Sequence, residues 1–411
     1  MNRGTEGDDA THGPRSESSG SAEPHRVKEI VSLTSLRGFL AVAIVLHHFW
    51  NDIVLLFPRL HAVRYPISMA HMAVPGFFML SGFVLAYNYA REFRRLAHGK
   101  VLRFWKFRLA RIYPVHLATL LFLAALVWGV PGVRSDSQDD LHSGFYFVLN
   151  LFLVQSWTPA ERFTWNFPAW SISTEWFAYL LFPFVARGIL LHLSTPLRAA
   201  TSALAALACS IAYVFYWHPL PFFNLLLVVP TFFAGAAVYC YYAAKSRSST
   251  DSGAVDKAGF LSTAPRPARD FGFLRILPEV LVVAAIAGCF VLSVEGMIAG
   301  IFASILGIIA ALAFLGDACL PVWRIAPSVF LGEVSYSLYM THTIVHRFLR
   351  RLLLADEFET AGVATKLGLL GVYAVVVGLA CLATYYSVER PARRWVRART
   401  AKKPSVVGSG S

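Results

Sequence analysis

The sequence predicts an all-α fold: a polytopic bundle of about ten membrane-crossing helices with both termini cytoplasmic. Three observations carry this expectation. Hydrophobic residues make up 56% of the 411-residue chain and charged residues only 15%, against roughly 45–50% and 25% in soluble domains. The apolar residues come in blocks close to the ~20 residues a helix needs to cross the hydrocarbon core. The basic residues gather between those blocks, as the positive-inside rule requires. The net charge of +13 is therefore a matter of topology, and no nucleic-acid partner is expected.

Taken in order, residues 1–29 are rich in Ser, Gly, Glu and Asp without an apolar core. They read as a disordered cytoplasmic tail, neither signal peptide nor span. Apolar blocks follow at 33–52, 70–90, 109–130, 169–186, 200–217, 222–243, 276–294, 297–316, 326–349 and 365–387. The segment 144–157 is apolar but short. Arg91, Arg94, Arg95, Lys100, Arg103 and Lys106 follow the second block. Lys245, Arg247, Lys257, Arg266, Arg269 and Arg275 fill the 244–275 loop, and seven more Arg and Lys residues lie from Arg390 to Lys403. All three stretches are expected on the cytoplasmic side. The 131–143 loop, with Asp136, Asp139 and Asp140 against Arg134 alone, suits the other side. Ten spans satisfy every assignment, whereas a spanning 144–157 would put the basic tail outside, so that segment is expected to re-enter or lie at the interface. The membrane domain thus covers 30–395, with 244–275 a cytoplasmic linker loop and 396–411 a disordered cytoplasmic tail. Cys209, Cys240, Cys289, Cys319 and Cys381 form no CxxC pair, so neither a disulfide framework nor a metal site is expected.

An ionisable group inside a span costs several kcal/mol, about 2.5 at the least, and marks a functional candidate. In the first block Arg37 and His48 are eleven residues apart, about three turns and about 16 Å along one helix face. A snorkelling Arg and a helix-packing His are the plain alternatives. Arg108 and Arg111 share a face at the start of the third block and suit a phosphate-rich ligand, or equally a lipid-headgroup anchor. Glu175 lies near the outer end of the 169–186 block with Ser171 one turn earlier. A carboxylate does little for topology, so function or a structural salt bridge has to explain it. Ser335, Tyr339, His342 and His346 line one face of the 326–349 block as an interhelical hydrogen-bond network or a ligand lining. Gly76, Ser81 and Gly82 read as close-packing residues.

Several of these segments resemble motifs of the acyltransferase-3 family of membrane acyltransferases. Leu36-Arg37-Gly38 with His48 resembles its first-span Arg, ten intervening residues and His. Gly76 to Phe83 is similar to FFxLSGF, and Arg108, Arg111, Ile112 and Pro114 to RxxRIxP. Trp170 to Glu175 resembles WSLSVEE, except that Trp176 replaces the second acid. Ser335 to Tyr339 with His342 resembles SYSLYLxH, and Val388, Glu389, Pro391 and Arg394 resemble the closing VExPxRR. The resemblance implies transfer of an acyl group, commonly acetyl, from acyl-CoA to a hydroxyl, with no permanently bound cofactor. It implies a carbohydrate, lipid-linked sugar or glycoside acceptor, a bacterial inner-membrane location and contact with membrane lipids. A fused extracytoplasmic domain, present in some members, is not expected here, so a separate extracytoplasmic partner is an option. The expected roles are His48 as general base oriented by Glu175, with Arg37, Arg108 and Arg111 on the CoA phosphates. Ser171, Ser173, Tyr339 and His342 are expected at the substrate. A glycolipid or sugar transporter or flippase is the competing class.

Overall fold

The protein was analysed as a computed structural model that describes residues 29–130, 140–159, 163–216, 222–248, 275–353 and 361–401. The expectations for residues 1–28, for the loop 131–139 with Arg134, Asp136 and Asp139, for most of the 244–275 linker and for 402–411 lie outside the described residues.

Among the described residues there is no strand. The helices are α1 (Val31–Leu56), the short α2 (Arg64–Ser68), α3 (Ala73–Tyr89), α4 (His98–Gly129), α5 (Gly144–Leu151), α6 (Ala169–Gly188) and α7 (Pro196–Tyr216). They continue as α8 (Phe223–Ser248), α9 (Leu277–Val291), α10 (Val294–Leu315), α11 (Ala326–Leu353), α12 (Val363–Thr384) and α13 (Arg390–Ala401). Every one of the ten apolar blocks falls on one of these helices. Eight helical stretches are long and apolar enough to cross a membrane. The other two blocks lie on α9 and α11. The fifteen residues of α9 span about 22 Å at 1.5 Å per residue, short of the hydrocarbon core. The 28 residues of α11 are long enough, but its polar stripe and Glu333, Arg347 and Arg350 lower its hydropathy.

Two helix pairs meet backbone to backbone. A Cβ on Gly332 of α11 would sit 1.8 Å from the Thr34 carbonyl of α1, and one on Gly38 would sit 2.7 Å from the Gly332 nitrogen. A Cβ on Gly235 of α8 would lie 1.7 Å from the Met79 carbonyl, and one on Gly82 of α3 would lie 1.9 Å from that of Phe232. Glycine at these positions lets helices approach as they do in lipid, where dispersion replaces the hydrophobic drive. The α1/α11 contact fixes the height of every polar group those two helices carry.

The 144–157 segment does not extend into a full-length helix. The eight residues of α5 rise about 12 Å, and the chain then turns back through Leu153 at φ +58° and Trp165 at φ +54°. The returning loop is tied down at several points. Tyr113 Oη donates to the Leu151 carbonyl at 3.0 Å, Gln155 Nε2 to the Ala169 carbonyl at 2.9 Å and Trp157 Nε1 to the Ser173 carbonyl at 3.1 Å. The first turns of α6 are therefore covered by this loop and lie inside the bundle. After α12 the chain makes a π-helical turn, Tyr385–Glu389, before α13. Pro391 has no N–H to give to the preceding turn, which favours such a register shift.

Candidate active site

A cavity of about 370 Å³ lies among α1, α3, α4, α6, α11 and α13. Its lining runs along α3 from Asn88 and Tyr89 to Val74, about 22 Å at the helical rise. The end near Asn88 is also reached by Glu29, before α1, and by Arg393 of α13. The cavity thus opens toward the end of the bundle that carries the basic 91–106 stretch.

Four arginines, Arg37, Arg108, Arg111 and Arg393, face two carboxylates, Glu29 and Glu175, across this cavity, leaving it net positive. Arg393 is paired with Glu389 at 3.4 Å, and that carboxylate is held from the other side by Ser337 Oγ at 2.6 Å. Arg108 Nη2 donates to Tyr89 Oη at 3.1 Å, and its guanidinium lies over the Tyr89 ring at 5.2 Å. Arg108 Nε is buried without a hydrogen-bond partner. Arg37 has Arg111 beside it, with Tyr179, Glu175 and Arg393 its other titratable neighbours. Among the described residues Arg37, Arg108 and Arg111 make no salt bridge within 4.0 Å. Cations kept this way in a poorly solvated cavity are stabilised by an anionic ligand, and guanidinium forks match phosphate oxygens.

Glu175 sits among these arginines. Its Oε1 accepts hydrogen bonds from Ser81 Oγ and from Tyr179 Oη, each at 2.5 Å. The expected His48–Glu175 pair is not formed. The physical reason is the returning loop. Because α6 starts beneath that loop, Glu175 is level with Ser81 in the middle of α3 and faces its hydroxyl instead of His48.

At the far end of the cavity Ser171 Oγ and Tyr339 Oη are 2.7 Å apart, with Tyr339 6% and Ser171 4% exposed. One turn beyond Tyr339 is His342, fully buried. Its Nδ1 donates to the Tyr339 carbonyl at 2.7 Å, which leaves Nε2 as the acceptor nitrogen, and Nε2 is buried with no partner. The His48 ring lies 5.1 Å from that of His342, and Phe167 of the returning loop packs on His48 at 5.2 Å. The imidazole–carboxylate contact expected at Glu175 occurs one turn further along α1. Asp52, 3% exposed, accepts from His346 Nε2 at 2.6 Å and faces Arg350 Nε at 3.4 Å.

The structure therefore brings Arg37, Arg108, Arg111, Glu175, Ser171 and Tyr339 to one cavity, and His48 and His342 to each other just beyond it. Ser173 does not line the cavity. Its hydroxyl donates to the Leu153 carbonyl at 2.8 Å and accepts from the Ser156 amide at 3.2 Å, so it pins the returning loop. On sequence alone Ser81 reads as a close-packing residue and Arg393 as a topology charge, and Tyr179 and Asp52 have no role. Tyr179 follows Glu175 by four residues and Asp52 follows His48 by four, the helical spacing that places them on the same face.

A helix bundle that spans a membrane and buries a cationic cavity leading to paired imidazoles defines an integral membrane enzyme of group transfer. Residues 30–386 match the acyltransferase domain of the acyltransferase-3 family, and the chain belongs to that family; it is an acyltransferase. It is similar to the acyltransferase MdmB of Streptomyces mycarofaciens, with 29% identity over 90% of this chain and 93% of that protein. It is also similar to a putative acetyltransferase, ORF330, of Acidianus two-tailed virus, with 24% identity over 77% of this chain and 83% of that protein. No solved structure matches it. Family membership displaces the transporter and flippase reading.

Proposed function

We propose that the protein moves an acyl group, acetyl in the first instance, from acyl-CoA to a hydroxyl of a carbohydrate, lipid-linked sugar or glycoside acceptor. The observation that carries this reading is the set of Arg37, Arg108 and Arg111 in one elongated cavity, without carboxylate salt bridges among the described residues. The donor phosphates bind these arginines at the basic end of the bundle, which is the cytoplasmic side of a bacterial inner membrane. The pantetheine arm follows α3 inward. The thioester carbonyl reaches the Ser171 and Tyr339 hydroxyls, which stabilise the developing oxyanion. His48 takes the proton from the acceptor hydroxyl, with the His342 ring packed beside it at 5.1 Å. Glu175 counterbalances the arginines while the donor is absent.

The test uses purified protein with labelled acetyl-CoA and octyl β-D-glucoside as a probe acceptor. His48→Ala is expected to lower kcat by about 100-fold or more, the usual contribution of a general base. Arg108→Ala and Arg111→Ala are expected to raise KM for acetyl-CoA about tenfold or more, the loss of one to three charge-assisted contacts. Wild-type kcat in His48→Ala, or unaltered donor dependence in both arginine variants, sinks the corresponding role.

A further inference from the structure

We propose that Asp52 and His346 form a proton-relay pair that carries the acceptor's proton away from the imidazoles toward the bundle end opposite the arginine cavity. The inference rests on the functional reading above. Two helices carry the groups in step. On α1, His48 and Asp52 are four residues apart, and on α11, His342 and His346 are four apart, so each pair lies on one face a turn apart. The close α1/α11 approach at Gly38 and Gly332 sets the two helices in register. His48 then meets His342 at 5.1 Å between ring centres, and Asp52 meets His346 at 2.6 Å.

Exposure rises along this ladder. His342 is fully buried, the His346 side chain is 19% exposed, and that of Arg350, which faces the other oxygen of Asp52, is 60% exposed. Phe49 packs on His346 at 4.6 Å and on Tyr373 of α12 at 5.4 Å. Tyr373, with a buried hydroxyl lacking a partner, counts Asp52 and Arg350 as its charged neighbours. Among the described residues, His47, His71 and His342 are also nearby, and Arg347 follows His346 on α11. A buried carboxylate whose two oxygens meet an imidazole and an exposed guanidinium is arranged to hold an imidazolium.

In the transfer step the acceptor oxygen bonds to the thioester carbon, the C–S bond breaks and the thiolate leaves. The hydroxyl proton goes to the histidine base. The relay passes that proton on to His346, where the Asp52 carboxylate stabilises the cation, and water at the exposed end takes it. The thiolate recovers a proton from water at the arginine end. The base is then neutral again for the next turnover. Asp52 touches neither substrate and acts as a positioning residue for His346.

The experiment follows octyl glucoside acetylation by mass spectrometry and thiol release from acetyl-CoA, in purified full-length protein. Asp52→Asn is expected to lower kcat about tenfold or more, at the low end of proton-transfer contributions, with KM for acetyl-CoA within about twofold. Asp52→Glu, which keeps the carboxylate, is expected to recover most of that loss. His346→Gly is expected to be similarly slow and to regain turnover with added imidazole but not with pyrazole, which has the same shape and is a far weaker base. Wild-type kcat in Asp52→Asn overturns the relay. So does equal recovery of His346→Gly by imidazole and pyrazole, because that is the behaviour of a space-filler. Wild-type protein that makes no octyl glucoside ester overturns the donor and acceptor reading and the relay with it. Active wild type with unaltered variants overturns the relay alone.

Discussion

Glu175 accepts from Ser81 and Tyr179 on the arginine side of the Ser171–Tyr339 contact, and this position sets its expected phenotype. An orienting carboxylate removed from a base lowers kcat by about 10⁴-fold in the Ser-His-Asp case. Here Glu175→Gln is expected to keep kcat within about tenfold and to lower KM for acetyl-CoA, because removing one anion leaves the arginines freer for phosphate. Steady-state kinetics with varied acetyl-CoA reads both numbers. A collapse of kcat with KM unchanged would restore the orienting role. That Arg108 and Arg111 would reach one cavity was legible in the sequence, since they share a helix face. Their partners were not. Whether a carboxylate faces an arginine or an imidazole depends on how deep its helix starts, and no local pattern in residues 169–175 records that depth.

At the scale of elements, the ten apolar blocks each located a helix among the described residues. Charge placement already argued against a spanning 144–157, but the conformation of the reversal after α5 was not legible, because Leu153 and Trp165 adopt a left-handed backbone conformation that their side chains disfavour. Only the surrounding bonds, among them Ser173 to the Leu153 carbonyl, hold the chain there. The glycines are a second such case. Gly332 and Gly371 look alike in sequence, yet a Cβ on Gly332 meets backbone at 1.8 Å while one on Gly371 meets nothing within 4 Å. Gly332→Ala must push α1 and α11 apart and is expected to cost about 1–3 kcal/mol, as overpacking does. Gly371→Ala is expected to be neutral or slightly stabilising through helix propensity. Thermal melting of the detergent-solubilised variants checks this, and equal midpoints for the two would remove the α1/α11 contact from the argument. Separation of those helices would also misalign His48 with His342, so residual Gly332→Ala protein is expected to bind acetyl-CoA and turn over slowly.

For the whole molecule, the cavity enters from the end where α1 begins and α3 finishes, and the imidazoles sit toward the other. Sidedness can be read by single cysteines after replacement of the exposed Cys209. With a membrane-impermeant maleimide, Arg95→Cys is expected to react only in inverted vesicles and Arg59→Cys only in intact cells, both positions being exposed. The reverse pattern would turn the bundle over and place the arginines on the acceptor side. Composition made the polytopic helical bundle legible in outline. The count of full spans was less so, because α11 carries its polar stripe through the bundle and reads as too hydrophilic for lipid.

The Ser171–Tyr339 contact has a bearing on the electrical life of the membrane. A passage wide enough for a pantetheine arm also admits hydrated ions, and across an energised membrane each elementary charge falling through 100 mV releases about 2.3 kcal/mol. The two hydroxyls that meet at 2.7 Å are uncharged, so a voltage would do almost no work on them if they part for the proposed donor. Two ionised side chains in the same place would be pulled by the field in one direction or the other. A closure of this kind on the proposed donor path would open for a substrate and not for a voltage. Ser171→Ala combined with Tyr339→Phe is expected to let a vesicle's potential decay faster, which a voltage-sensitive dye records.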